Sequence, residues 1–475
     1  MLFNSIPYLI LFAFTYLIYW NIPQKGRKPL LVVSSLLFYA YFSFPFLFHF
    51  LLVILINYAF SEWMFRKKEK GETFDSVLYT IVILNVINLA FFKYFYFITD
   101  SLYGLTGYPS FKEISGSWSI FLPLAISFYT FQIIAVQVDI YRGVIEKRMS
   151  TVDYFLFILF FPQLIAGPIM RSQDFLPQLD NPTIDEDRMK KGIFLIIGGL
   201  FKKVIIAENI APIIAPLYMD PAKYDSFSIF FSVLAFGIQV YCDFSGYTDM
   251  ARGSANLLGY EIPENFQGPF LSQSFRELWS RWHITLSSWL RDYIYIPLGG
   301  SKGSIFRSNL NSFITMCLGG LWHGANWAFV IWGAYLGALI WIERSLYLHR
   351  GKKKFIPDTF PMAGFIRTIV IFIIFTFSGV FFRAAARGSE SLNVAYEIFK
   401  GVLTLRNTGD TLSRVDELPT FIALGLMFNW FQYSPFVYEK LKPYQNILLP
   451  ILSVVILLLL GIFGDGGQDF IYFQF

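Results

Sequence analysis

Long apolar runs, each followed by a short polar or basic stretch, recur along the whole chain. They cover Leu2 to Trp20, Leu30 to Phe60, Val77 to Ile98 and Phe121 to Ile140. They continue through Tyr154 to Pro168, Ile193 to Ile206, Phe227 to Tyr241, Leu310 to Trp341, Phe365 to Phe382, Thr420 to Phe431 and Ile447 to Phe463. A helix needs roughly 20 apolar residues to cross the hydrocarbon of a bilayer, so this pattern predicts an all-α integral membrane protein. About eleven to thirteen membrane segments are expected, the shorter ones re-entrant, with Leu30 to Phe60 divided in two near Pro45. The polar stretches Arg171 to Arg188, Gly259 to Ser274 and Lys400 to Glu417 are too short for separate cores, so residues 1–475 read as one polytopic membrane domain.

Composition agrees. The 475 residues are 55% hydrophobic and 15% charged, above the apolar share and below the charged share of soluble domains. The first apolar run lacks preceding basic residues and a cleavage site, which predicts a retained helix rather than a signal peptide. Lys25, Arg27 and Lys28 follow it, and Arg66, Lys67, Lys68 and Lys70 form a second cluster; both are expected in the cytoplasm, with the amino terminus outside. Arg350 to Lys354 is a third cytoplasmic candidate. The net charge of +5 is dispersed in loops and suits topology and lipid contact, not nucleic-acid binding. Cys242 and Cys317 lie in apolar stretches without a CxxC partner and read as packing residues; no metal site is expected.

Ionisable rings at bilayer depth are costly and mark function. Two histidines qualify, His283 in FRELWSRWHITLSSWLRDY and His323 in LGGLWHGANW. On a continuous helix over Phe275 to Tyr293, Phe275, Leu278, Trp279, Trp282, Leu286, Trp289, Leu290 and Tyr293 make one apolar face. Arg276, Ser280, His283, Ser287 and Arg291 then form a polar stripe opposite. Such a helix lines a wet cavity or lies in the membrane interface. The glycines around His323, at 319, 320 and 324, predict a helix broken or closely approached there. A buried neutral imidazole can take a proton from an attacking hydroxyl, which suits His323 as general base with His283 orienting the donor, binding an oxyanion or sharing the proton. Arg276 and Arg291 are weak candidates for donor phosphates, and Asp243, Asn326 and Ser287 for support.

Other strings carry less. Gly299 to Gly303 matches G-x-S-x-G, but it follows Ile296-Pro297-Leu298 in a loop, so a tight turn explains Ser301 better than a nucleophile does. Asp249 and Arg252, three residues apart, read as a structural ion pair. Histidines inside broken helices also suit a proton-coupled transporter, although no inverted half-repeat is visible.

The chain resembles the membrane-bound O-acyltransferases, and within them the bacterial alginate O-acetylation branch. The resemblance rests on FFPQLIAGPIMR (Phe160 to Arg171), YCDFSGYTDMARG (Tyr241 to Gly253), PENFQGPFLSQSFRELWSRWHITLSSWLRDYIYIPLGG (Pro263 to Gly300) and LGGLWHGANWAFVIWG (Leu318 to Gly333). FIYFQF (Phe470 to Phe475) adds to it. It implies a many-helix fold around a central tunnel, with His323 as principal catalytic residue and His283 at the second motif position, an asparagine in many eukaryotic relatives. It further implies a bacterial inner-membrane enzyme without a permanently bound cofactor, using cytoplasmic acetyl-CoA or another acyl-CoA as donor. The acceptor would be an extracytoplasmic polysaccharide, reached directly or through a periplasmic acetyltransferase partner. Peptidoglycan O-acetylation is an alternative. Teichoic-acid D-alanylation is another, weakened by the IPLGG ending at Gly300.

Overall fold

A computed structural model describes residue 1 and residues 3–349 and 361–463. The basic cluster Arg350 to Lys354 and the FIYFQF string lie outside the described residues. Among the described residues every extended element is helical, and the only β pairing is two isolated bridges. The chain gathers into two compact units. One comprises Met1–Ile196 with Thr248–Pro263, the other Ile197–Tyr247 with the chain from Glu264 onward.

In the first unit, helix ends follow local chemistry. Ser5 caps Ile6–Asn21 by accepting from the Tyr8 amide at 3.4 Å, with Pro7 in the first turn where its missing N–H costs nothing. The expected division of Leu30 to Phe60 is present. Gln24–Ala40 ends, three residues turn, and Ser43 caps Phe44–Glu69 with Pro45 in its first turn. Arg66, Lys67 and Lys68 occupy the last turn of that helix, where cations meet the negative end of the dipole. Lys28, at the start of Gln24–Ala40, binds Asp153 and Asp180 at 2.6 Å each.

The interior of this unit carries an amide ladder. Asn57 and Asn85 exchange hydrogen bonds of 3.1 and 2.8 Å. Gln137 donates to the Asn57 carbonyl (3.0 Å) and to the Tyr154 hydroxyl (3.1 Å), and accepts from Ser61 (3.2 Å). Between apolar helices such bonds replace the water the amides have lost. The expected pair of Arg252 and Asp249 is also present, at 3.5 Å.

Five helical stretches among the described residues are long and apolar enough to cross a membrane. They are Phe44–Glu69, Asp75–Thr106, Ser226–Leu257, Trp327–Tyr347 and Met362–Leu403, and Ile6–Asn21 and Ile126–Tyr141 are apolar but shorter. Other expected segments are short or interrupted. Tyr154 to Pro168 is helical only to Leu159, and Ile193 to Ile206 passes from α into a π segment at Phe201–Ala207.

In the second unit the run Leu310 to Trp341 folds into a hairpin. Ile305–His323 is the first arm, Trp327–His349 the second, with the chain reversing at Gly324 to Asn326. A Cβ at Gly320 would lie 2.2 Å from the Phe329 carbonyl oxygen, and one at Gly333 would lie 2.3 Å from that of Met316. The arms therefore meet backbone to backbone.

Candidate active site

The expected continuous helix over Phe275 to Tyr293 is not what forms. It breaks into Phe275–Arg281 and Ile284–Leu290, with Trp282 extended and His283 left-handed at φ 43°, ψ 53°. The cause is a neighbouring strand-like segment. The Gln267 amide donates to the Arg281 carbonyl and the Ile284 amide to the Asn265 carbonyl, each at 3.0 Å, which draws Trp282 into a bridge with Phe266. Asn265 Oδ1 also accepts from the Thr285 amide (3.3 Å) and hydroxyl (2.6 Å), capping the second piece. A non-glycine residue in this conformation costs about 1–2 kcal/mol, and it persists because these bonds over-determine it.

The break dissolves the polar stripe. Arg276 stays exposed at the start of the first piece, where its amide and that of Phe275 donate to Glu343 at 3.1 and 3.0 Å. Ser280 is exposed too and bonds the Glu277 carbonyl. His283 turns inward, 1% exposed, against Phe244 (ring centroids 4.8 Å), Trp322 (5.9 Å) and Phe266 (6.5 Å). Neither of its ring nitrogens has a hydrogen-bond partner among the described residues.

His323 ends the first arm of the hairpin. Its ring lies 5.0 Å from Trp322, 5.1 Å from Trp332 and 5.1 Å from Phe382, with Phe329 stacked at 6.3 Å. Gly324 is needed here, because a Cβ would fall 2.2 Å from the Phe329 ring. Trp322 thus touches both imidazoles.

Two cavities border His323. The larger, about 200 Å³, is lined along the first arm by Ser312, Thr315, Met316, Gly319 and Gly320, and across from it by Trp279, Ser287, Arg291, Tyr295 and Trp332. The smaller, about 20 Å³, is lined by Phe236, Gly237, Trp282, Thr376, Gly379 and Phe382 among others. His323 and Trp332 line both. The imidazole thus stands between two spaces within a ring of aromatic side chains, a setting in which a neutral imidazole can exchange a proton with a group in either space.

Of the other expected residues, Ser287 and Arg291 line the larger cavity and Arg276 does not. Ser287 donates to the Trp282 carbonyl at 3.2 Å, tying the break together. Arg291 makes a two-point pair with Asp292, 2.7 and 3.2 Å, which raises its already high pKa. Asp243 borders neither cavity. It is buried and binds Lys203 at 2.6 Å, with Glu208 3.4 Å from the same ammonium, while the adjacent Phe244 packs on His283. Asn326 pins the hairpin turn by accepting from the Ala328 amide (2.8 Å) and Ser391 (3.0 Å) and donating to the Gly388 carbonyl (2.9 Å). Ser301 lies in a tight turn, as expected, with positive φ at Gly299, Gly300 and Gly303, and borders neither cavity.

Trp279, Trp332, Tyr295 and Phe382 were not legible as site residues. Aromatics are so common in this chain that nothing in the sequence separates them from packing or belt residues.

Residues 142–385, which include both histidines, match the model of MBOAT, the membrane-bound O-acyltransferase family. The chain is 37% identical over 408 residues to the probable alginate O-acetylase AlgI of Azotobacter vinelandii, covering 85% of this chain and 78% of that protein. To the probable alginate O-acetylase AlgI of Pseudomonas aeruginosa it is 35% identical over 415 residues, with 85% and 75% covered. To the peptidoglycan O-acetyltransferase of Helicobacter pylori it is 31% identical over 537 residues, with 100% and 98% covered. The chain belongs to the membrane-bound O-acyltransferase family and is an O-acyltransferase.

Proposed function

We propose that this protein, set in the bacterial inner membrane, takes an acetyl group from cytoplasmic acetyl-CoA and passes it toward O-acetylation of an alginate-like exported polysaccharide. The transfer reaches the polymer directly or through a periplasmic acetyltransferase partner. The observation that carries this reading is the position of His323, one ring facing a 200 Å³ cavity and a second, smaller space. The donor thioester occupies the larger cavity, beside Ser287 and Arg291. The acceptor hydroxyl approaches His323 from the smaller side.

In the reaction the hydroxyl oxygen bonds the thioester carbonyl carbon as the imidazole of His323 takes its proton. The carbon–sulfur bond then breaks, and the thiolate leaves and recovers that proton as a free thiol. His283 borders neither cavity; its buried ring packs on Trp322, which packs on His323, so it acts by orienting the base and the donor from behind. The apolar cage keeps water from hydrolysing the thioester.

Peptidoglycan O-acetylation is a second reading, supported by the end-to-end alignment with the Helicobacter pylori enzyme. The deciding experiment supplies [¹⁴C]acetyl-CoA to the full-length protein in lipid nanodiscs, with its periplasmic partner where one is encoded nearby. Label on oligomannuronate supports the first reading and label on muropeptides the second. Label on neither acceptor would overturn both.

A further inference from the structure

His323 shares its place on both cavities with Trp332, a residue that carries no base. Trp332 stands on the second arm of the hairpin, its indole edge-on to the His323 ring (centroids 5.1 Å, 87°) and to Phe382 (5.3 Å, 73°). It is therefore part of the wall between the two spaces. One hydrogen bond fixes that wall. Trp332 Nε1 donates to Ser378 Oγ at 3.2 Å, on the helix Pro361–Ala384, and the Ser378 hydroxyl donates in turn to the Phe375 carbonyl at 2.6 Å. Elsewhere the smaller space is closed by direct packing. A Cβ at Gly237 would stand 2.2 Å from Thr376 Cγ2, and one at Gly379 would stand 3.1 Å from the Phe236 ring.

The same bond bears on water. The smaller space, about 20 Å³, has room for about one water, but a water stays in such a space only where polar partners hold it. Phe236, Val240, Phe375 and Phe382 give it a largely apolar lining. Of its two hydroxyls, that of Ser378 is committed to Trp332 and Phe375, and that of Thr376 donates to the Ile373 carbonyl at 2.9 Å. The protons of both hydroxyls and of the Trp332 indole are thus already bonded. An alcohol borne on a larger acceptor is held by the rest of that acceptor and does not need them. A lone water does.

We infer that Trp332, latched by Ser378, makes this enzyme select an alcohol over water, by keeping the space beside His323 dry until an acceptor fills it. Both are positioning residues, acting through the wall and not on the reacting atoms. The reaction they suppress is hydrolysis. In it the oxygen of water bonds the thioester carbonyl carbon as His323 takes one of its protons, the carbon–sulfur bond breaks, and the thiolate leaves with that proton, giving acetic acid and a free thiol. Without the Ser378 hydroxyl the buried indole N–H is left unpaired, which is costly, and a water in the room vacated by the oxygen relieves it. That water shares the small space with the base. The inference rests on the reading that places the donor in the larger cavity and the acceptor hydroxyl in the smaller.

The test follows [¹⁴C]acetyl-CoA with the full-length protein in lipid nanodiscs, with its periplasmic partner where one is encoded nearby, and counts label in free acetate and in the acceptor, oligomannuronate or muropeptide. In Ser378→Ala, a change small enough to leave the helix intact, the ratio of acetate to acetylated acceptor should rise about fivefold to tenfold, the effect of one hydrogen bond. Trp332→Phe, which removes both the N–H and one ring of the wall, should raise the ratio at least as far. The double variant should match Trp332→Phe alone, because Ser378 acts through the indole. Ser378→Cys, whose sulfur is a weak acceptor, should recover part of the unaltered ratio. His323→Ala added to Ser378→Ala should abolish the extra acetate, since the same base drives both reactions. If the unaltered protein transfers label and both single variants keep its ratio, whatever their overall rate, the wall is merely structural and the inference is overturned while the donor reading stands. If the unaltered protein labels neither acceptor, that reading falls and the inference with it.

Discussion

Two buried polar groups, one in each compact unit, are handled in opposite ways. In the first, Asn57, Asn85, Gln137, Ser61 and Tyr154 bond one another, so each amide's desolvation is offset and the group acts as helix cement. In the second, the His283 ring is equally withdrawn from water, yet its nitrogens find no hydrogen-bond partner among the described residues and its backbone sits in a strained region. An interior amide that is satisfied contributes to packing. An interior imidazole left open on a strained backbone costs stability, the mark of a group whose proposed role is chemical.

The largest effect that probes this contrast is at His323. His323→Ala should lower acetyl transfer by at least about a hundredfold while the protein remains folded in the membrane, because a general base is removed from an otherwise intact cage. Label transfer from [¹⁴C]acetyl-CoA and detergent gel filtration check it together; wild-type transfer would remove the base assignment.

Next comes His283. His283→Ala should cut transfer by about tenfold or more. His283→Asn should lose less, because asparagine accepts the left-handed backbone and still offers a hydrogen bond. Equal losses in both variants would mean that the ring's surroundings, not its chemistry, set the rate.

In the first unit the sign reverses. Gln137→Leu leaves Asn57 and Tyr154 short of partners and should destabilise the fold by about 1–3 kcal/mol, read by equilibrium unfolding in mild detergent. Activity per folded molecule should stay within about twofold of the unaltered enzyme. A selective loss of turnover without loss of stability would show that the ladder serves chemistry too. The smallest effect is expected at Ser301: Ser301→Ala should leave transfer unchanged within about twofold, since that hydroxyl borders neither cavity.

Much of this was readable beforehand, for reasons that differ by residue. The helix division near Pro45 follows from proline's preference for a first turn, a rule that acts within a few residues. The turn at Gly299 to Gly303 is equally local. The glycines flanking His323 announced a close approach, and both a chain reversal and a backbone contact are present. The periodicity over Phe275 to Tyr293 predicts one helix, and hydrogen bonds from Asn265 and Gln267, residues outside any window centred on His283, override it.

Hydropathy and motif order thus determined, from the chain alone, that this is a helical membrane protein of the membrane-bound O-acyltransferase family, and they singled out two histidines as candidates for its chemistry. Burying a run of apolar side chains is a property of the run itself. Which polar groups face a cavity, which are spent on caps and ion pairs, and where the imidazole of His283 points depended on contacts between segments distant in sequence. Asn265 breaks a helix, Phe329 fills the space a Cβ at Gly324 would take, and Ser308 receives Arg344 from the opposite arm. Those contacts exist only once the chain has folded, because each needs two surfaces brought together that no local propensity joins.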